Sequence, residues 1–132
     1  MTAESIGHGY ALSGRVRILG CHPEVGSIVA DQDNYIRLRE EFGWHHLMKK
    51  WLNGGISEDT LENPRTFCDK TVRGLVSFSG MHPEELQVVI AHDVTIFPII
   101  SGIFGKTVIS LDFLNGIVIT GNSSSFKILF AD

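Results

Sequence analysis

The sequence shows no basic stripe, no recognisable secretion signal and no apolar run of membrane length. Lys and Arg number 11 against 15 Asp and Glu, a formal charge of −4. The basic residues are scattered singly or in pairs, which argues against a binder of phosphate backbones and so against a nucleic-acid partner. The opening Met1-Thr-Ala-Glu-Ser-Ile6 is neither a basic n-region nor an apolar h-region. The longest apolar run, near Ile96 to Phe104, is far short of a bilayer span and contains Pro98, so no membrane partner is expected. Cysteine is scarce as well: Cys21 and Cys68 leave one disulfide open, but a chain without a signal reads as a reduced cytoplasmic protein. No internal repeat is visible, and the one low-complexity piece is the short loop Asn122-Ser-Ser-Ser125.

What is present is an ordinary globular composition, 43% hydrophobic and 20% charged. Its 132 residues suit one domain over 1–132, large enough to bury a core. Val16–Leu19 and Ser27–Ala30 are short strand candidates on either side of a turn marked by Pro23 and Gly26. Tyr35–Glu41 fits either strand or helix, and a loop leading into a helix start is the preferred reading. Trp44, Leu47, Met48, Trp51 and Leu52 follow the helical i, i+3, i+4, i+7, i+8 series, with Lys49 and Lys50 near the C-terminal end and Gly54-Gly55 as the stop. Asn63 as N-cap and Pro64 at the first helical position open a second helix, whose buried stripe is Cys68, Thr71, Val72, Leu75 and Val76 and whose terminator is Gly80.

A buried strand, Gln87–Ala91, then runs into a helix from about Thr95 to Phe104, closed by Gly105. Val108–Leu114 and Ile117–Thr120 flank Asn115-Gly116, a strong two-residue hairpin signal. Phe126, Ile128 and Phe130 alternate as a last strand. The fold class is therefore α/β, a mixed sheet with helices packed on it and a C-terminal antiparallel hairpin.

The stretch Leu86–Gly105 carries the chemistry. A strand ends on His92-Asp93 and turns directly into an apolar helix. A strand tip facing a helix N-terminus is where α/β proteins handle anions, because free N–H groups and the helix dipole point there. A histidine and a carboxylate at that place can bind phosphate and supply a proton. The alternative is structural: Asp93 satisfies the N–H groups at the helix start.

The segment Ala91-His92-Asp93-Val-Thr-Ile96, with a strand before it and a helix after it, resembles the histidine phosphatase superfamily, closest to acid-phosphatase-like members that carry a His-Asp pair. The hairpin and last strand resemble the end of that fold. Leu38-Arg-Glu-Glu-Phe-Gly-Trp44 and Thr2-Ala3-Glu4 look like segments of phosphoglycerate-mutase-like members. The resemblance covers the last two thirds of the chain loosely and implies a shortened histidine-phosphatase-like core. It implies that His92 is the second, phosphate-binding histidine and Asp93 the proton donor. The family's nucleophile is the histidine of an Arg-His-Gly triplet, which this sequence lacks. Gly7-His8-Gly9 keeps only His-Gly, so either His8 is a degenerate nucleophile or the nucleophile strand lies upstream of Met1. Arg15, in Ser13-Gly-Arg15, is the best candidate among the arginines for a phosphate ligand.

A phosphoryl group in transfer spreads charge over its equatorial oxygens, and arginine forks bind that charge. Losing one such donor costs on the order of a hundredfold or more in rate. The expectation is thus a catalytically incomplete protein, a pseudoenzyme that binds a phosphorylated small molecule or a protein. The alternatives are an active phosphomonoesterase using His8 with His92 and Asp93, or a self-associating module, a homodimer, with no phosphate site. No cofactor is expected, and no metal site: His45 and His46 are adjacent and point about 100° apart on a helix, and His22 and His82 each precede a proline in a turn. Cys68 reads as a small core residue, and Cys21 has no base beside it in the sequence. Trp44 and Trp51 share a helix face and read as core, or as a sticky patch if that face is left open.

Overall fold

The computed structural model describes residues 26–80, 89, 91–112, 116–122 and 124–131. Among the described residues, four helices, α1 (Gln32–Phe42), α2 (Trp44–Leu52), α3 (Pro64–Gly80) and α4 (Asp93–Phe104), precede two strands, β1 (Gly116–Asn122) and β2 (Ser125–Ala131). The strand candidate Val16–Leu19 and the turn before Gly26 lie outside the described residues.

Helix α1 spans the whole region expected to be a loop and a helix start. Its carboxylate cap explains this: Asp31 accepts a hydrogen bond from the Asn34 N–H. No α1 residue is fully buried, but Tyr35, Leu38 and Phe42 lean on the core from one stripe. Gly43 joins α1 to α2 at φ 71°, a conformation in which a side chain would be strained, so the two helices meet without a spacer. Leu47, Met48 and Trp51 of α2 are buried as their spacing predicts, with Trp44 and Leu52 half-buried beside them. Gly54 ends the turn at φ 74°, its N–H donating to the Trp51 carbonyl.

Between α2 and α3 the chain doubles back beside the Ser27–Ala30 segment. That segment does not form a strand. It makes one isolated antiparallel bridge, Val29 to Leu61, flanked by Ala30 N–H to Thr60 O at 2.9 Å and Glu62 N–H to Ile28 O at 2.8 Å. The Trp51 indole N–H donates to the Glu62 carbonyl at 2.8 Å and so fastens this loop to α2. Helix α3 starts as predicted: the Asn63 side-chain oxygen accepts from the Arg65 and Thr66 N–H groups. Cys68, Thr71, Val72 and Val76 are buried on its inner face, and Leu75 is half-buried.

Among the described residues, two apolar clusters form the core. One joins Ile28, Leu47, Met48, Trp51, Leu61, Phe67 and Phe97; the other joins Cys68, Val72, Val76 and Ile99, with Ile117, Ile119 and Ile128 of the hairpin packed on it. Helix α4 crosses both, and its C-cap Gly105 is left-handed, as expected of a terminator. Its start is two residues earlier than Thr95. Of the strand expected before it, Val89 and Ala91 belong to neither helix nor strand, and Val89 is 41% exposed. Gln87, Val88 and Ile90 lie outside the described residues.

The C-terminal antiparallel hairpin is present, but its turn is not at Asn115-Gly116. Strand β1 begins at Gly116 and pairs with β2 in one register from Gly116–Ala131 to Asn122–Ser125, while Val108–Asp112 are in neither helix nor strand. Packing decides between the two registers. A turn at Asn115-Gly116 would set Asp112 opposite Ile119 on the core face. The observed register sets Ile119 opposite Ile128 and Ile117 opposite Phe130, so the apolar sets coincide. Gly121 at φ 125° lets the strands close, since a Cβ there would collide with the backbone of Ser125 and Phe126. On the outer face Val118 (51% exposed) stands opposite Leu129 (56%). Among the described residues this two-stranded sheet is the whole of the β structure apart from the isolated bridge, and no helix is long and apolar enough to cross a membrane.

Two measurements probe this packing. Trp51→Phe keeps an aromatic ring but leaves the Glu62 carbonyl without its donor, and urea unfolding should show a loss of about 1–3 kcal/mol. Burial, and secondarily the Asp69 carboxylate, push the Cys68 thiol above its ordinary range. A raised folded pKa makes stability fall as pH climbs through and beyond the usual thiol range. Native Cys68 should therefore react with a thiol reagent far more slowly than the unfolded chain, and the melting temperature should decline above about pH 8.5, a decline that Cys68→Ala abolishes.

Candidate functional site

Four separate pieces of chain converge at the start of α4. The loop residue Ser27, Tyr35 of α1, Trp44 at the start of α2, and His92, Val94 and Thr95 at the α4 N-terminus line one cavity of about 390 Å³, with Ile28 and Val29 completing its wall. Local sequence explains each placement. Asp31 starts α1 and brings Tyr35 inward. Gly43 sets Trp44 at the elbow. The Trp51–Glu62–Ile28 hydrogen-bond relay holds the Ser27–Val29 wall.

His92 is the N-cap of α4 in extended conformation, and its side chain makes no capping hydrogen bond. The imidazole is exposed and lines the cavity. The His92 carbonyl accepts from the Thr95 N–H at 3.0 Å. Asp93 occupies the first helical position, and its carboxylate accepts from the Val94 N–H at 2.9 Å. The geometry of Asp93 is thus that of a helix-start acceptor. It sits beside the cavity in sequence but is not among the residues lining it.

Thr95 is the unforeseen member. It retains only 4% of its exposure and lines the cavity, and no hydrogen bond joins its hydroxyl to another described residue. A buried hydroxyl without a partner is costly, by about 1–3 kcal/mol, and in native proteins such a group points to water or a ligand. The sequence carried one signal for it: Thr95 is three residues after His92, where a side chain at the head of a helix can face the same opening as the cap.

Trp44, read from the sequence as core, is half-buried and forms a cavity wall, with the Arg39 guanidinium over its ring at 5.9 Å. Trp51 is core. His8 and Arg15 lie outside the described residues, as do Arg17, Cys21, His22 and His82. Of the remaining arginines, Arg37 bonds Asn34 and Glu41 along α1, and Arg65 and Arg73 are exposed on α3. His45 and His46 are exposed, His46 stacking on Phe42 at 5.9 Å.

A second cavity, about 310 Å³, lies on the far side of the Ser27–Ala30 segment and is lined in part by Glu58, Glu62, Asn63 and Thr66. Its carboxylates disfavour anions, and among the described residues no group of three or more His, Cys, Asp or Glu side chains is placed to hold a metal ion. Comparison with family models, with curated proteins and with solved structures finds no significant match.

The Thr95 hydroxyl, without a hydrogen-bond partner among the described residues, gives a direct test. Thr95→Val removes the polar atom and keeps the branched shape, so equilibrium unfolding should show stability unchanged or raised by about 1 kcal/mol. A loss larger than that would mean the hydroxyl has a partner inside the protein.

Proposed function

We propose that this chain is a histidine-phosphatase-like domain that binds a phosphorylated ligand through His92 and the head of α4 and does not hydrolyse it. The observation that carries the reading is the meeting of His92 and the buried Thr95 hydroxyl in one cavity at a helix N-terminus. In this reading the imidazole donates to a phosphoryl oxygen, with positive charge when protonated. The Thr95 hydroxyl donates to a second oxygen, and the positive end of the α4 dipole favours the anion. Asp93 is the family-type proton donor by sequence; its bond to the Val94 N–H holds it at the helix start.

In this reading the site binds without turnover. Attack on phosphorus needs a nucleophile in line with the leaving group, and the charge of the transition state needs arginine or an equivalent. The sequence has no Arg-His-Gly triplet, and no arginine is among the described residues that line the cavity. One histidine and one hydroxyl can hold a phosphate but cannot stabilise the spread charge of its transfer.

The test is titration of the whole chain with inorganic phosphate, followed by NMR. Shifts should concentrate on the His92 ring and the Val94 and Thr95 amides, with Kd on the order of 1 mM, about 4 kcal/mol of binding. His92→Gln should weaken binding at least tenfold. No hydrolysis of 4-nitrophenyl phosphate should be measurable. Turnover that disappears in His8→Ala would overturn the inactive reading, and a flat titration would overturn the phosphate site.

A further inference from the structure

The cavity is larger than a phosphate needs, and its other walls are mostly apolar, with Ser27 and the Tyr35 hydroxyl the exceptions. A volume of about 390 Å³ falls within the roughly 300–1,000 Å³ range of small-molecule sites. A bare phosphate held at His92 and Thr95 would leave most of that space to water. The space lies against Tyr35 and Trp44, two half-buried aromatic side chains presented by different helices. Each is positioned by features already described: Tyr35 by the Asp31-capped start of α1, and Trp44 by the Gly43 elbow. The Arg39 guanidinium over Trp44 at 5.9 Å is a further restraint on that ring.

We infer that the ligand of this cavity is a small phosphomonoester of a flat aromatic ring, with the phosphate at His92 and Thr95 and the ring against Tyr35 and Trp44. The inference rests on the proposed phosphate site and adds the class of the group that the phosphate is attached to. The physical ground is division of labour. The polar groups on the wall are one imidazole and the hydroxyls of Thr95, Ser27 and Tyr35, with no lysine or arginine among the described lining residues, which is too little positive charge for tight binding of a dianion. Aromatic walls supply stacking and apolar burial to a flat ring, and supply little to a polyol or a bare ion. The pair also discriminates by shape, because two large rigid side chains admit a flat group more readily than a branched one.

The experiment compares four probes on the full chain by NMR and calorimetric titration: phenyl phosphate, glycerol 2-phosphate, inorganic phosphate and phenol. Phenyl phosphate should bind about tenfold more tightly than glycerol 2-phosphate or phosphate, the size of one good aromatic contact. That preference should vanish in Trp44→Leu and Tyr35→Leu and survive in Trp44→Phe, which keeps a ring and guards against a folding defect. His92→Gln should weaken all three phosphates together. Equal binding of the three phosphates would overturn the aromatic inference and leave the phosphate site intact. Phenol binding as tightly as phenyl phosphate would overturn both, since the phosphate would then contribute nothing. Binding of none of the four would likewise overturn both.

Discussion

One hydrogen bond inside the first core cluster organises the candidate site. Trp51 is buried among Leu47, Met48, Leu61, Phe67 and Phe97, and its single donor has one place to go, the Glu62 carbonyl at 2.8 Å. An indole N–H left unsatisfied there would cost as much as a surface cap contributes to an entire helix. The same Glu62 residue gives its N–H to Ile28, and Thr60 takes the N–H of Ala30. The wall that carries Ser27 is therefore held by a loop, and the loop by a tryptophan. A sheet would have done this with a ladder of bonds; here one bridge and a few contacts do it. A segment held by so few bonds is of the kind that opens locally at low cost, and ligand-binding elements are commonly drawn from such segments.

The helices were legible where a periodic apolar stripe coincided with chemical punctuation. Helix α2 had Trp44, Leu47, Met48 and Trp51 in series before Gly54. Helix α3 had Asn63-Pro64 before Cys68, Thr71 and Val72. Helix α1 was less legible because its stripe of Tyr35, Leu38 and Phe42 is only half-buried, so the periodic signal is diluted by charged neighbours. The informative residue was the cap, Asp31. The hairpin was misassigned for the opposite reason. Asn115-Gly116 is a strong local signal, but a turn there sets a carboxylate against the core, and tertiary burial of Ile117, Ile119 and Ile128 outweighs local turn preference.

The candidate site divides along the same line. His92 and Asp93 were visible because they are adjacent and stand before an apolar helix. Tyr35, Trp44 and Thr95 were not, because what unites them is a cavity in which the α1–α2 elbow meets a helix about fifty residues further along the chain. Periodicity reports that a side chain faces inward. It does not report whether the inside at that point is filled or hollow. Trp44 and Trp51 share a helix face, yet one is sealed in the core and the other walls the cavity.

Electrostatics at the head of α4 bear on how such a site would work. Asp93 already places a carboxylate against the Val94 N–H, so part of what the helix dipole offers an anion is taken by the protein's own side chain. An incoming phosphate meets a like charge one residue away. In the proposed complex, affinity for bare phosphate would be held down, and binding would depend on groups that the carboxylate does not oppose: the His92 ring, the Thr95 hydroxyl and the aromatic walls. A site with generous positive charge would bind any small anion. A site with this balance would have to draw its selectivity from the part of the ligand that is not phosphate, and in the proposed complex that part would meet Tyr35 and Trp44.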